Sequence, residues 1–141
     1  MAAALEEARL AARAGEVPVG AVIVCQGAVI ASGRNRREGE QNALGHAELE
    51  AISRACGVKG SWRLSDCQLY VTLEPCPMCA GAIINARLDS VYIGARDAKG
   101  GACGSVTDLF FYPFHHRPKV YKGILEEECK AVLSAFFQEL R

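Results

Sequence analysis

No stretch of this chain stays apolar for the ~18 residues that a membrane-spanning helix requires, so no transmembrane segment and no membrane partner are expected. The start, Met1-Ala2-Ala3-Ala4-Leu5-Glu6-Glu7, lacks the basic region and apolar run of a secretory leader, and a cytoplasmic location is expected. There is no excess of charge of either sign: 16 basic residues stand against 16 acidic ones. That disfavours a protein that coats nucleic acid nonspecifically, while leaving room for a local basic groove that reads one structured RNA. No repeat, low-complexity tract or Pro/Gly/Ser linker divides the sequence, so residues 1–141 are expected to form one domain. An even set of cysteines is also missing. There are seven, which together with the missing leader argues against a disulfide framework.

Cys25, Cys56, Cys67 and Cys129 lie in apolar or periodic stretches and read as small core residues. Cys103 stands alone in a glycine-rich loop. Only Cys76 and Cys79 are spaced for chemistry.

The hydrophobic content, 50 %, is that of an ordinary globular protein. Residues 2–14, rich in Ala, Leu, Glu and Arg, predict a helix that ends at Gly15. Residues 17–24 and 28–31 predict two antiparallel strands joined by a turn at Gln26-Gly27, and residues 33–45 a loop. A helix is expected over 46–56, stopped by Gly57. A strand follows over 67–73, and a second central helix from Pro77 to Ala86 with the proline in its first turn. Ser90–Gly94 is a short strand, Ala95–Gly104 a loop, and Lys119–Lys122 a further strand. The final helix, from about Ile124 to Leu140, keeps Leu125, Cys129, Val132, Leu133, Phe136, Phe137 and Leu140 on one face. Strands that alternate with helices imply βαβ units and an α/β sheet covered on both faces. In such folds ligands bind beyond the carboxyl ends of the strands, at helix N-termini, where His46 and Cys76 both fall.

The strongest chemical signal is His46-Ala47-Glu48 together with Pro75-Cys76-Pro77-Met78-Cys79. One imidazole and two thiolates are good zinc ligands. A structural site would want four protein ligands, whereas a catalytic site keeps three and leaves one position for water. His115, His116 and the scattered cysteines are the other candidates for a fourth ligand, and none sits in a paired motif. Three ligands, His46, Cys76 and Cys79, with one Zn2+ per chain is therefore the expectation. Cys76 and Cys79 converge in the first turn of a helix, whose dipole favours ionised thiols. Glu48 shares a pocket with His46 only if a helix begins there, which Gly45 permits. Zinc lowers the pKa of bound water from 15.7 to about 7. A carboxylate that is not a ligand, Glu48, then moves a proton from that water to a leaving group. A His-x-Glu followed by Pro-Cys-x-x-Cys is the recognised signature of zinc-dependent nucleobase deaminases, and this sequence matches it. A stabilising zinc site and a redox pair at Cys76/Cys79 are the competing readings; the redox reading leaves His46-Ala47-Glu48 unexplained.

Over residues 15–137 the chain resembles the bacterial tRNA-specific adenosine deaminases of the cytidine deaminase-like superfamily. The resemblance rests on Gly15–Val22, on Tyr70–Ala82 and on Gly94-Ala95-Arg96-Asp97-Ala98-Lys99-Gly100-Gly101, the last pointing to the tRNA branch. It implies a three-layer α/β/α fold with a five-stranded mixed sheet, and a homodimer that binds a tRNA anticodon stem-loop. The implied reaction is wobble adenosine to inosine, in arginine tRNA. It makes His46, Cys76 and Cys79 the zinc ligands and Glu48 the proton shuttle. Asn35 matches a residue that holds the flipped-out base. The Ala47 N–H is implied at the attacked centre and the Glu74 carbonyl at the leaving amine. Asp97, Ala98 and Lys99 match the loop that touches the target nucleotide and its 5′ neighbour. One departure is at the C-terminus, where Phe136-Phe137 is followed by Gln138-Glu139-Leu140-Arg141 instead of the basic tail common in the family.

Two other functions are compatible with the motifs. One is a free-base or nucleoside deaminase such as guanine deaminase, which shares a Cys-Pro-Met-Cys form. The other is a non-catalytic RNA-binding or zinc-stabilised module, which would have no use for Glu48. The run Phe110-Phe111-Tyr112-Pro113-Phe114 suits either a core or a stacking platform for unpaired bases.

Overall fold

The computed structural model describes residues 1–140. Its elements are α1 (Ala2–Arg13), β1 (Gly20–Cys25), β2 (Ala28–Arg34), α2 (Arg37–Glu40), α3 (Ala47–Lys59), β3 (Cys67–Leu73), α4 (Pro77–Ala86), β4 (Ser90–Ala95), a 3₁₀ turn at Leu109–Phe111, β5 (Lys119–Lys122) and α5 (Glu126–Glu139). The strands form one five-stranded sheet in the order β2-β1-β3-β4-β5. β1 is antiparallel to β2 and β3, while β3, β4 and β5 run parallel, so the sheet is mixed as expected.

Alternation along the strands builds the layers. Ala21 and Ile23 of β1, Leu69 and Val71 of β3, and Val91 and Ile93 of β4 point to one face and join Ala51, Ile52 and Ala55 of α3 and Ala80 and Ile83 of α4 in the main core. α1 and α5 cover the other face, where Leu5, Ala95 and Cys129 form a smaller cluster. Two close approaches fix the helices. A Cβ at Gly20 would lie within 2.0 Å of the Ala4 carbonyl in α1, and one at Gly33 within 2.3 Å of the Ala47 carbonyl in α3. Glycine at 33 thus lets the first turn of α3 lie directly on β2.

The hairpin turn is as the sequence predicts: Gln26 and Gly27 have φ of 52° and 78°, both left-handed, the pattern of a type I′ turn. Several boundaries differ. β1 begins at Gly20 rather than Val17, because Pro18 has no N–H for a ladder and Val19 N–H instead bonds the Val17 carbonyl (2.9 Å). β2 runs on to Arg34, and residues 37–40 form the short α2 rather than loop. The α2 amides of Glu38 and Gly39 donate to the buried Glu16 carboxylate (3.0 and 2.6 Å), a partner 22 and 23 residues away. α3 passes through Gly57 and ends at Gly60, whose φ of 63° makes the left-handed cap. Glycine weakens a helix interior by about 1 kcal/mol, too little to stop one packed on a sheet.

Candidate active site

Two helices aim their N-termini at one cleft. His46 is the extended residue before α3 (φ −97°, ψ 146°), and Cys76 holds the same place before α4 (φ −74°, ψ 175°). The cleft lies beyond the carboxyl end of β3, where open α/β sheets bind ligands. It encloses about 180 Å³, lined by Val17, Val19, Asn35, Arg37, His46, Ala47, Glu48, Leu73, Glu74, Cys76 and Asp97.

His46 Nδ1 stands 3.6 Å from Cys76 Sγ and 3.5 Å from Cys79 Sγ. The three ligand atoms all fall within 4.8 Å of one another. Zinc–sulfur bonds of about 2.3 Å and zinc–nitrogen bonds of about 2.0–2.1 Å, meeting at the tetrahedral angle, set sulfur and nitrogen about 3.6 Å apart. The two nitrogen–sulfur edges therefore have the length a zinc ion needs. The triangle joins no fourth His, Cys, Asp or Glu among the described residues. His116 is used elsewhere, its Nε2 2.6 Å from the Leu88 carbonyl oxygen.

Electrostatics reinforce the cradle. The Cys76 thiol is held down to about 4, chiefly by its hydrogen bond with Cys79, with His46 adding to the effect. The Cys79 thiol is pushed up by the same hydrogen bond and by burial. A thiolate at the first turn of α4 also meets the positive end of the helix dipole. Hydrogen bonding to Cys76 raises His46. Glu48, 4 % exposed, lies on the cleft wall in the first turn of α3, and burial pushes its carboxyl up to about 7.

Of the other residues singled out in the sequence, Asn35, Ala47, Glu74 and Asp97 line the cleft. Ala98 and Lys99 are exposed and do not. Asn35 Nδ2 donates to the Val17 carbonyl (3.2 Å), and its Oδ1 accepts from Arg37 N–H (3.0 Å). Asp97 Oδ1 accepts from the N–H groups of Lys99 and Gly100, both at 3.1 Å, so the carboxylate organises its own loop. Within the aromatic run Phe110 is buried, whereas Phe111, Tyr112 and Phe114 are exposed.

Sequence reasoning missed the part played by the Glu74 side chain. Its carboxylate accepts from the N–H groups of Asp97 (3.3 Å), Cys103 (3.0 Å) and Ser105 (3.0 Å), and from the Ser105 hydroxyl. Burial opposes its ionisation, but the Ser105 hydroxyl and these amides outweigh it and hold the carboxyl below the usual range. Glu74 thereby clamps the 97–105 loop against the connection between β3 and α4 that carries Cys76. Glu74→Ala is expected to cost about 3 kcal/mol, because it leaves buried donors without their acceptor. Thermal melting and limited proteolysis between residues 97 and 105 measure this; an unchanged Tm would remove the clamp. Arg37, Val17 and Val19 were also missed as cleft residues, having no local motif to mark them.

Comparisons with known proteins identify the family. The model of the MafB19-like deaminase family matches residues 1–141. A tRNA-specific adenosine deaminase of Bacillus subtilis is 51 % identical over 142 residues, covering 100 % of this chain and 88 % of that protein. A structure solved in a study of A-to-I editing by tRNA:A34 deaminases at the wobble position of transfer RNA superposes with a TM-score of 0.89 at 48 % identity, covering 92 % of this chain and 95 % of the other. A guanine deaminase from Bacillus subtilis superposes with a TM-score of 0.66 at 35 % identity, over 97 % of this chain and 90 % of its own. The chain belongs to the MafB19-like deaminase family and, within it, to the tRNA-specific adenosine deaminases.

Proposed function

We propose that this chain, as one domain over residues 1–141 and as a homodimer, hydrolyses adenosine to inosine at the wobble position of an arginine tRNA anticodon, releasing ammonia. The observation that carries this reading is the His46–Cys76–Cys79 triangle with Glu48 buried beside it on one cleft. His46, Cys76 and Cys79 would hold zinc, which when bound supplies a Lewis acid that brings the pKa of water from 15.7 to about 7. Glu48 takes a proton from the attacking water and delivers it to the departing amine. The Ala47 N–H, in the first turn of α3, points its dipole at the attacked centre, and the Glu74 carbonyl accepts from the amine. Asn35 orients the base, and the loop carrying Asp97, Ala98 and Lys99 meets the sugar-phosphate backbone. A base inside a stack cannot enter such a cleft, so the target is an unpaired nucleotide turned out of its loop.

The test is direct. Purified protein with unmodified tRNA transcripts is expected to produce A-to-G changes on sequencing at the wobble adenosine of arginine tRNA alone. The guanine deaminase similarity supplies the second reading. Rapid turnover of free guanine, with no activity on any anticodon stem-loop, would replace the tRNA assignment with that one.

Asp97 offers a sharper test of RNA recognition. A carboxylate beside a polyanion is disfavoured unless it accepts a specific hydrogen bond, and the ribose 2′-hydroxyl is the donor that DNA lacks. Asp97→Asn keeps the Oδ1 acceptor used by Lys99 and Gly100, so the loop should hold while the charge is lost. The ratio of initial rates on an RNA stem-loop and its deoxy version should fall by roughly tenfold, the value of one charge-assisted hydrogen bond. Both must be measured at one salt concentration. An unchanged ratio would refute this role for Asp97.

A further inference from the structure

Cys25 and Cys67 belong to the main core, as expected of small core residues, but their thiols also meet a charged pair, Asp66 and Lys59. Cys25 ends β1, Cys67 opens β3, and the two are direct neighbours in the antiparallel register. Asp66 reaches both: Cys25 Sγ donates to Asp66 Oδ2 (3.3 Å) and Cys67 Sγ to Asp66 Oδ1 (3.5 Å). Lys59, the last residue of α3, sets its Nζ 2.7 Å from Asp66 Oδ2 and 3.5 Å from Cys25 Sγ. One ligand atom from each of Cys25, Asp66 and Cys67 falls within 4.8 Å of the others. The cluster lies at the opposite end of β3 from the cleft, and β3 has seven residues, or roughly 20 Å at about 3.3 Å per residue.

We propose that Cys25, Cys67 and Asp66 form a second metal site, for a thiophilic divalent cation of the zinc, cadmium and cobalt class. The geometry fits such an ion. Sulfur and oxygen ligands at tetrahedral angles around zinc are set about 3.6 Å apart by its bond lengths; Cys25 Sγ lies 3.3 Å from Asp66 Oδ2 and Cys67 Sγ 3.5 Å from Asp66 Oδ1, one thiol to each carboxylate oxygen. Two soft thiol donors with one carboxylate select this class over calcium or magnesium, which prefer all-oxygen sites. The Lys59 ammonium, in contact with two of the three ligands, takes the place of a cation. Binding releases one proton from each thiol to solvent and displaces Lys59, whose side chain is already partly exposed. Asp66 is about half exposed and provides the way in, while water completes the coordination. A bound ion would tie together the end of β1 and the start of β3. Its effect is therefore on stability, by preferential binding to the folded chain.

The test uses the full chain loaded with one zinc, in the presence of a phosphine reductant, titrated with Co2+ alone. Thiolate-to-cobalt charge-transfer absorption in the near ultraviolet is expected to saturate at one further equivalent, with the zinc content unchanged by elemental analysis. Cys25→Ser and Cys67→Ser should each weaken the band, and the double variant should abolish it. The partly exposed positions keep the test decisive if a buried substitution fails to fold. Asp66→Asn should weaken cobalt binding on the order of tenfold or more, and Lys59→Met should tighten it on the order of tenfold or more by removing a competing charge. Absence of the band in the unmodified chain overturns the proposal. So does its persistence in the double variant, or weaker binding in Lys59→Met.

Discussion

Glu48→Gln is expected to lower deamination by about 10²–10⁴-fold, the contribution of a general acid–base group, while the fold and the zinc content stay unchanged. Glutamine has the volume and nearly the shape of glutamate, so the first turn of α3 should pack as before. Glu48 also lies outside the ligand triangle of His46, Cys76 and Cys79, so its loss removes no zinc ligand. What glutamine cannot do is accept a proton from water and return it. Glu48 is 4 % exposed, and bulk water therefore cannot substitute easily as the proton carrier. Single-turnover rates on an anticodon stem-loop, with circular dichroism and elemental analysis on the same sample, give the full answer. Normal turnover would eliminate the shuttle role. Loss of metal would make Glu48 a structural support for the cradle.

Cys79→Ala should empty the zinc site of the cleft, lowering the zinc content by one ion per chain, and bring deamination to background. Two ligands, His46 and Cys76, cannot hold the ion against water and buffer as three do. The more informative result is the fold. Structural zinc sites supply folding energy outright, and such domains unfold when stripped of metal. Here the main core joins three strands to α3 and α4 through buried Ile23, Leu69, Val71, Ile83, Val91 and Ile93, none of which touches metal chemistry. The stripped chain should therefore melt cooperatively, below the metal-loaded protein but still folded at 25 °C. A chelator titration followed by circular dichroism separates the two readings. Unfolding on chelation would assign His46, Cys76 and Cys79 to a stabilising site and count against catalysis.

How far these residues could be foreseen depended on the range of the interaction. The clustering of His46, Cys76 and Cys79 was legible because each half is local. His-x-Glu and Cys-x-x-Cys are first-turn spacings, and first turns of α/β helices face the carboxyl ends of strands. The type I′ turn was legible for the same reason, since Gln26-Gly27 lies between two apolar runs. The clamps were not. Glu74 meets partners 23 to 31 residues away, and Glu16 partners 22 and 23 away. No spacing rule predicts a carboxylate satisfied by amides of a distant loop. Gly57 misled in the other direction, because its small helix penalty is outweighed by the burial of Ala51, Ile52 and Ala55 on the sheet.

By itself, the amino-acid sequence determined the class of fold and brought forward His46, Cys76, Cys79 and Glu48 as candidates, because these follow from periodicity and from short-range spacing along one helix turn. Only the tertiary structure decided which groups share a space. The antiparallel register of β1 on β3 made Cys25 and Cys67 neighbours, and the crossover from β3 through α4 to β4 carried the Asp97 loop onto Glu74. The physical reason is that strand pairing and helix packing bring together groups tens of residues apart. Their position is set by the free energy of the whole buried core, and no local stretch of sequence carries that information.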